Sequence, residues 1–518
     1  MFRIPRLNVG SEPVGAHRGK AYRALTGAVK TRRAVPVSIA SLLPCLLCAL
    51  SVACMGKADS PTNSISGSVT MYGRPVQAAS VALTHESYGG VGNVSTDANG
   101  VYTFSDVREG EYTLAFAKAG YTFDNPLVRI TVGGGGVTLP ENVSVISWKN
   151  AYGGSGDEQA YAVRPTPDYG CVVAGFTGTG SSGVSDVLVK KLDLFGVQEW
   201  SYASGGPGYD VAYDIERTLD GGYIVVGEYE NGLNINDFYV LKLSGGGEKE
   251  WERLYGFSER DVARSVRQTS DGGYIIVGSR ESDTPNRDLD NYYILKLDTN
   301  GNLGDPGTWH KEYGGESWDV AYAVEETGES YVIAGSAQID LLDPSRSAIL
   351  VRWLRKSDGV DIYNKIYSLG DSSEARAMVK TPDNGFVIAG FTSDLLTGFS
   401  DLCLLGIDDQ GNELWRRTFD WSFNDRAASI SNTADGGFIV AGHTYTNVTD
   451  SYSFLVMKIT ASGDETWRRV YSFSEDDRAH SVRQTPDGGY IVAGKTWSAG
   501  AKDNMMLLKL DREGNIRE

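Results

Sequence analysis

Short apolar runs alternate with Gly-rich turns along the chain, and from residue 144 onwards the same order of runs returns seven times. The last Gly of a Tyr-Ile-Val-Ala-Gly run, or of its variants, marks each copy. Copies follow one another at about 50 residues, a period that is typical of propellers, solenoids and arrays. The marker positions are Gly175, Gly227, Gly278, Gly335, Gly390, Gly442 and Gly494.

Each copy contains four apolar runs of strand length. The last copy shows them most clearly: Ala479-x-x-Val482-x-x-Thr485 precedes the turn at 487–489, and the run 490–494 follows it. In that turn Asp can bond the backbone ahead and Gly accepts positive φ, so a hairpin closes there. A third run at 507–510 and another Gly turn lead to the fourth run. We therefore predict one four-stranded antiparallel sheet per copy.

The fourth run of most copies carries Trp, with an aromatic residue four positions later in all but one copy. Even spacing places the two rings on one face of a strand. A single sheet cannot bury such a face, but sheets stacked radially bury it against their neighbours. We expect these rings between sheets rather than at a ligand-stacking platform. The first ring of each pair is Trp148, Trp200, Trp251, Trp309, Tyr363, Trp415 or Trp467.

The two ends of the repeat region predict how the ring closes. Trp148 precedes the first Ala-x-x-Val run, and the last copy reaches Glu518 where its own Trp is due. Residues 145–152 are therefore expected to complete the seventh sheet and to leave no open edge. The prediction is an all-β, seven-bladed β-propeller over 144–518. Its Trp-x-x-x-Tyr-Gly-Gly…Asp-Gly-Gly-Tyr-Ile-Val-Ala-Gly repeat resembles that of β-propeller lipoproteins in bacterial and archaeal cell envelopes, a group whose likeness implies no activity.

A smaller β-domain is predicted before the propeller, at 65–143. Alternating runs such as 65–69, 101–104 and 112–116 are separated by turn signals, which is typical of a small sandwich. The order of its motifs, including Thr96-Asp-Ala-Asn-Gly-Val-Tyr-Thr-Phe104, resembles the carboxypeptidase regulatory-like, transthyretin-type domain. That resemblance implies an accessory or spacer module without catalysis. Asp97 and Asn99 are interpreted as turn residues rather than as cation ligands.

The first 53 residues predict an export signal with a long basic n-region. The apolar run 35–53 follows the basic residues, which is the layout of a secretory signal. Leu50-Ser-Val-Ala-Cys54 resembles a lipoprotein lipobox with Cys54 as the lipidated residue, although Ser51 stands where Leu is usual. Residues 54–64 are expected to form a polar tether. The predicted location is the cell envelope or outer surface, held by lipid; the alternative is a soluble secreted protein.

Charge and cysteine content restrict the partners. The formal net charge of the chain is −18, while its N-terminal segment is basic, so the body is strongly acidic. Such a body repels nucleic acid and anionic lipid, so no nucleic-acid partner is expected and the membrane is approached only through the lipid anchor. Cys171 and Cys403 stand at strand positions where other copies carry aromatic or aliphatic residues. Both are predicted to be buried free thiols.

The candidate functional residues occupy two repeat positions, which lie five and eight residues before the repeated Thr. The position five before it does not repeat, which favours ligand binding over structure; its candidates are Tyr161, Tyr213, Arg264, Tyr322, Arg376 and His480. The position eight before it is acidic in six copies and suggests either an acidic ring or one loop cap per blade, with the cap favoured. These acids are Glu158, Asp210, Asp261, Asp319, Asp425 and Asp477.

No catalytic, metal or cofactor motif emerges from the sequence. The five His residues form no pair at zinc spacing, and no nucleophile elbow or P-loop stands in a suitable context. We therefore expect no cofactor and favour a non-catalytic binding or scaffolding propeller for a glycan, peptide or envelope protein. Two alternatives remain: a lyase or hydrolase of extracellular polysaccharide acting at the channel mouth, and a structural spacer.

Overall fold

The computed structural model describes residues 63–516, apart from gaps at 72–73, 119–120, 124–125, 140–141, 146, 155, 179–184, 232–234, 257–259, 282–289, 315–317, 341–342, 344, 447–450 and 499–501. The described residues form strands and turns only, which confirms the all-β prediction. No helix in these ranges is long and apolar enough to cross a membrane. The export signal and Cys54 lie outside the described residues and stay predictions.

The N-terminal domain is a sandwich of two sheets. One sheet has the order β2-β1-β10-β7, with β5 and β9 also paired to β1; the other has the order β4-β3-β6-β8. Its core includes Ile65, Val81 and Leu114, all inaccessible to solvent or nearly so. The strands are β1 (Asn63–Met71), β2 (Arg74–Pro75), β3 (Ser80–His85), β4 (Gly89–Ser95), β5 (Val101–Val107), β6 (Gly110–Ala117), β7 (Thr122–Phe123), β8 (Leu127–Val132), β9 (Val137–Thr138) and β10 (Asn142–Val145).

Two details of this domain bear on the predictions. β1 already includes Asn63 and Ser64, so these two residues belong to the sandwich and not to the tether predicted at 54–64. Asp97 accepts hydrogen bonds from the backbone N–H groups of Asn99 and Val101 at 2.8 and 2.9 Å, and Gly100 has φ +72°. These are the contacts of a turn, as interpreted from the sequence.

The remaining strands form seven four-stranded sheets, the blades. The first strand is β11 (Trp148–Tyr152). Blades 1 to 6 then use, in order, β12 (Glu158–Pro165), β13 (Cys171–Thr177), β14 (Asp186–Leu192), β15 (Gln198–Ser204); β16 (Val211–Arg217), β17 (Tyr223–Glu230), β18 (Asn236–Leu243), β19 (Lys249–Tyr255); β20 (Asp261–Gln268), β21 (Tyr274–Glu281), β22 (Asp290–Leu297), β23 (Trp309–Tyr313); β24 (Asp319–Glu326), β25 (Ser330–Gln338), β26 (Ser347–Arg355), β27 (Asp361–Tyr367); β28 (Ser372–Lys380), β29 (Phe386–Ser393), β30 (Ser400–Ile407), β31 (Glu413–Phe419); β32 (Asp425–Asn432), β33 (Phe438–Thr446), β34 (Ser451–Ile459) and β35 (Glu465–Tyr471).

The seventh blade combines the two ends of the propeller, as predicted. It contains β36 (Arg478–Gln484), β37 (Tyr490–Ser498) and β38 (Lys502–Leu510), and β11 is its fourth strand. β11 pairs antiparallel with β38, and Trp148 lies opposite Lys509. The first strands of neighbouring blades contact one another, and the contact between β36 and β12 returns to the start. The result is a closed ring with the first strands nearest the axis.

The aromatic row lies between blades, and all six of its Trp rings pack on a glycine turn of the next blade. In blade 4, Trp353 takes this place at Gly411 and stacks on Tyr363. Gly301 has φ +74°, and a Cβ there would lie 2.7 Å from the Trp251 indole. The side chain of Tyr255 donates a hydrogen bond to the Gly301 carbonyl. Glycine is therefore required at this position for two reasons: the backbone is left-handed, and the neighbouring ring leaves no space for a Cβ. The same contact recurs between Trp467 and Gly514.

A buried lysine ties the third strand of five blades to the first hairpin turn. In blade 2, Lys242 is 2% exposed and forms ion pairs with Asp220 at 2.9 Å and Glu250 at 3.0 Å. Blades 4 and 5 place Trp353 and Gly406 at the position of this lysine, opposite Tyr363 and Trp415. The equivalent pairs are Lys191–Asp168, Lys296–Asp271, Lys458–Asp435 and Lys509–Asp487.

Cys171 and Cys403 are free and buried, which confirms their prediction. Burial raises the pKa of each thiol to about 12. Both thiols are therefore protonated at neutral pH and contribute only as small apolar groups of the blade cores.

Candidate functional site

A β-bulge interrupts every first strand at the same position. In blade 1 the register with β13 shifts between Ala160 and Ala162, so Tyr161 is the extra residue. A bulge bends the strand and re-aims the side chains beside it. The extra residue in the seven blades is Tyr161, Tyr213, Arg264, Tyr322, Arg376, Ala428 or His480.

The repeated glycine of each second strand lies opposite this bulge. Gly278 pairs with Ala263, and a Cβ at Gly278 would lie 1.9 Å from the carbonyl oxygen of Val262. The bulged backbone occupies the space that a side chain would need. The marker glycine of the repeat is therefore the residue that lets the first strand carry its bulge.

Replacing Gly278 with alanine should lower the free energy of unfolding by about 2–3 kcal/mol, because the added methyl group meets backbone that cannot rotate away. The change should also displace Arg264, which follows Ala263 in the bulge. Gly246→Ala is the control, because a Cβ at Gly246 would meet nothing closer than 3.7 Å and the φ of Gly246 lies outside the left-handed region. Chemical denaturation of both variants checks the difference, and equal stability of the two would contradict this role of Gly278.

All six predicted ligand-binding residues line one cavity of about 340 Å³. First strands of all seven blades contribute to its wall, so it lies on the axis of the ring. Blades 5 and 6 supply its least polar side, with Ala377, Val379 and Ala428. The residues five before the repeated Thr thus come together at the axial cavity.

The six side chains form a continuous series of ring and cation contacts, which we call the bulge belt. His480 stacks on Tyr161, and the series continues through Tyr213, Arg264, Tyr322 and Arg376. A guanidinium over an aromatic face is attracted by the ring quadrupole and held in orientation. The centroid distances are His480–Tyr161 4.8 Å, Tyr161–Tyr213 5.1 Å, Arg264–Tyr213 4.6 Å, Arg264–Tyr322 5.9 Å and Arg376–Tyr322 4.4 Å.

Hydrogen bonds fix the protonation of the belt. His480 Nδ1 lies 2.9 Å from the carbonyl oxygen of Ala160, so Nδ1 carries the proton and Nε2 is the acceptor. Burial lowers the pKa of His480 to about 4, although the bond to Ala160 opposes this shift. Burial raises the pKa of Tyr161 to about 12. At neutral pH the belt therefore contains a neutral imidazole, neutral phenols and two guanidinium cations.

A second layer of charged residues lies beside the belt, and its members Asp214, Arg267 and Glu325 line the same cavity. Asp214 accepts hydrogen bonds from Arg164 at 2.7 Å and from Arg267 at 3.3 Å. Arg267 also donates to Glu325 at 3.2 Å. Burial would raise the pKa of Asp214, but Arg164 and Arg267 outweigh it and lower the pKa below its ordinary value. For Glu325 burial prevails and the pKa is raised.

The second layer was not predicted from the sequence. Its residues lie mostly two before the repeated Thr, where Arg164, Glu216, Arg267 and Glu325 alternate in sign from blade to blade. Alternation of charge at one repeat position was the available signal, because neighbouring first strands bring such residues together around an axis. Arg483 holds the same position in blade 7.

The six acids eight before the Thr do not line this cavity. All six are buried, and three have the contacts of a loop cap. Asp425 accepts from the backbone N–H groups of Trp421 and Ser422, both at 2.9 Å. The corresponding bonds reach Asp210 from Glu230 at 2.8 Å, and Asp477 from Ser474 at 2.9 Å.

Fewer contacts are described for the other three acids, and loop-cap bonds are not among those described. Glu158 accepts from the Thr177 hydroxyl at 3.3 Å. Asp261 lies 3.8 Å from Nε of Arg280. Asp319 is 5% exposed. Within the described ranges no group of three or more His, Cys, Asp and Glu side chains is placed to hold a metal ion.

Comparison with known proteins identifies the first domain. Residues 64–143 match the carboxypeptidase regulatory-like domain family, in agreement with the sandwich predicted at 65–143. No curated protein matches the chain.

Solved structures resemble parts of the chain at low identity. The WD40 domain of Neurospora crassa Pan2 is 11% identical, with 70% of this chain and 91% of that chain covered and a TM-score of 0.41. Sqt1 from Chaetomium thermophilum is 11% identical, with coverage of 69% and 87% and a TM-score of 0.39. GBS52, the minor pilin of Streptococcus agalactiae, is 17% identical with a TM-score of 0.14; 16% of this chain is covered, and the chain spans 45% of that protein. Likeness at this level carries no argument about function.

Proposed function

We propose that the propeller is a non-catalytic binding module that takes a glycan or peptide ligand into its axial cavity. The observation that carries the proposal is the convergence of six non-repeating Tyr, Arg and His side chains on one cavity. Side chains that differ from blade to blade are not needed to build a repeated sheet. A concave site with a few oriented polar groups is what ligand binding requires.

The test is a glycan and peptide array probed with residues 55–518. Replacing both Arg376 and His480 with alanine should abolish binding of any ligand found, because both line the cavity from opposite ends of the bulge belt. Arg417→Ala is the control, since Arg417 pairs with Asp464 at the surface. Unchanged binding by the double variant, with the control also intact, would place the ligand elsewhere.

We propose further that the protein is exported and held at the cell envelope by a lipid on Cys54. The support is the basic segment, the apolar run and the lipobox-like sequence before Cys54. In a bacterial expression host, the protein should fractionate with membranes and the Cys54→Ala variant should not. Mass spectrometry of the mature N-terminus provides the direct check. A mature protein without Cys54 at its N-terminus would contradict the anchor.

One observation keeps a hydrolase as a second candidate. Asp214 and Glu325 line the same cavity, with the pKa of the first lowered and that of the second raised. Two carboxyl groups with opposed pKa shifts are the arrangement that glycoside hydrolysis uses. Both groups are bound to Arg267, however, which favours a structural role. Release of reducing ends from a polysaccharide, lost in Glu325→Gln, would favour the enzyme over the binding module.

A further inference from the structure

Arg264 stands out among the cavity residues because its hydrogen bonding is incomplete. It donates to no residue that the structure describes, and its Nε is buried without a partner. Asp290 lies close enough to interact electrostatically with Arg264, but the two form no ion pair in the described ranges, and burial raises the pKa of Asp290. A buried guanidinium donor without an acceptor costs free energy unless a ligand supplies one.

Arg483 presents a second set of free donors to the same cavity. Its Nη1 donates to the Ser429 hydroxyl at 3.1 Å and to the Val482 carbonyl at 2.7 Å. Its Nε and Nη2 donate to nothing in the part of the chain that the structure describes. Burial, and then the charges of Arg164 and Arg267, lower its pKa to about 9, so it remains protonated at neutral pH.

The other cavity arginines already have carboxylate partners. Arg267 pairs with Asp214, which it shares with Arg164 outside the cavity lining, and Arg376 donates to Glu374 at 2.6 Å. Two of the cavity arginines, Arg267 and Arg376, are thus paired with the protein's own carboxylates. Arg264 and Arg483 form no ion pair with a described carboxylate, although Asp214 and Glu216 lie close enough to interact with the charge of Arg483. Both arginines line the same cavity.

The aromatic rings of the bulge belt orient neighbouring guanidinium and imidazole groups, so their faces are already occupied. Arg264 lies against Tyr213 and Tyr322, and His480 is stacked on Tyr161. Ring faces that hold a guanidinium or imidazole are not available to stack on a sugar. What remains for a ligand is the donor edge of each guanidinium, which matches the two oxygens of a carboxylate.

Hydroxyl partners accompany the free guanidinium groups. The Tyr322 hydroxyl has no hydrogen-bond partner among the described residues, and Nε2 of His480 is an acceptor. Ser431 and Ser481 line the same cavity. Such groups suit a ligand that carries hydroxyl groups beside its anion.

We propose that the axial cavity binds an acidic sugar, a uronate, with its carboxylate on the free donors of Arg264. This inference rests on the proposed binding function and adds the class of ligand. Arg264 donates to the carboxylate oxygens, and Arg483 offers its free donors to another part of the ligand. Nε2 of His480 accepts from a ring hydroxyl, and the Tyr322 hydroxyl can donate or accept. The net charge of the protein is −18, so the protein as a whole repels anions. The anion is attracted only by the positive charges of the arginines in the cavity.

Calorimetric titration of the full chain with D-galacturonate and with D-galactose tests the proposal. These sugars differ in the carboxylate alone, so galacturonate should bind at least about tenfold more tightly. Arg264→Met should abolish the difference, and Arg264→Lys should retain a part of it because the charge stays while the paired donors are lost. Arg417→Met, outside the cavity, should behave as the native protein. Thermal melts of each variant show whether it remains folded.

Three results would overturn the inference. Equal binding of both sugars would reject the carboxylate while leaving the binding function standing. Binding of inorganic phosphate but not of galacturonate would reject the sugar. No binding of either anion to the native protein would reject the anion site, whereas the proposed function falls only if the array ligands also ignore Arg376 and His480.

Discussion

Replacing Asp214 with alanine is expected to lower the free energy of unfolding by about 3–5 kcal/mol. Its side chain is 11% exposed and lies between Arg164 and Arg267, and its carboxylate also accepts the backbone N–H of Val266 at 3.2 Å. Removing it leaves two poorly solvated guanidinium groups without their shared acceptor. Most of the loss is the cost of those uncompensated charges rather than the value of the ion pair itself.

Glu216 provides the matched control for this change. It lies 3.6 Å from the same two arginines, but its side chain is 29% exposed. Glu216→Gln should therefore cost less than about 1 kcal/mol. Urea denaturation at neutral pH measures both variants. A loss for Asp214→Ala no larger than that for Glu216→Gln would show that the charged layer does not support the ring.

The contribution of Asp214 also has a defined pH dependence. Its pKa in the folded protein lies below the ordinary value, so the stabilisation is present above the pKa of an unfolded aspartate, about 4. It is lost as the pH falls through the lower folded value. The native protein should therefore lose stability on acidification more steeply than Asp214→Ala in the same range.

Removing the closing strand is expected to have the second large effect. A chain of residues 153–518 should be less stable than one of residues 144–518 by at least about 3 kcal/mol, because it loses a row of ladder hydrogen bonds and two inter-blade rings. Trp148 Nε1 donates to the Leu194 carbonyl at 3.0 Å, and Tyr152 donates to the Gly196 carbonyl. The shorter chain also exposes the edge of β38, which is a template for aggregation.

A peptide of residues 145–153 offers a rescue experiment for the shorter chain. Added in trans, it should pair with β38 and raise the melting temperature, as an added strand does in β-augmentation. A peptide with Trp148 and Tyr152 replaced by alanine should not. Equal melting temperatures of the two chains, with no response to the peptide, would contradict closure by β11.

Much of this fold was predictable because each repeat had to bury the same faces. Sheet number, strand order and the pairing of residues 148–152 with the last copy followed from counting repeated runs. The predicted strand began too early, because Val145 ends β10 and pairs with Thr122 in the sandwich. The bulge was not predicted, although the spacing contained it. Ala160 and Val163 share one core cluster although they are three residues apart, which a regular strand with period two cannot achieve. An odd spacing between two buried residues was the signal of an extra residue between them.

The candidate site was predicted only as far as a comparison of the seven copies allowed, from positions that repeat and positions that do not. Residues that differ among copies identified the bulge belt, since a repeated sheet does not need them. The partners of Asp214 could not be assigned, because Arg164 and Arg267 lie on neighbouring strands and their contacts depend on how closely the first strands approach the axis. The free donors of Arg264 were also invisible, because a missing partner is a property of the folded cavity.

Closure of the ring can be measured most directly by a disulfide between its two ends. Ala151 lies opposite Met506 in the register of β11 and β38, so cysteines at these positions should form a disulfide under mild oxidation. Cysteines at Ala151 and Met505 point to opposite faces and should remain free. Peptide mapping by mass spectrometry distinguishes the pairs. A cross-link in the first pair alone is the predicted result; no cross-link, or equal cross-linking in both pairs, would contradict a ring closed by the N-terminal strand.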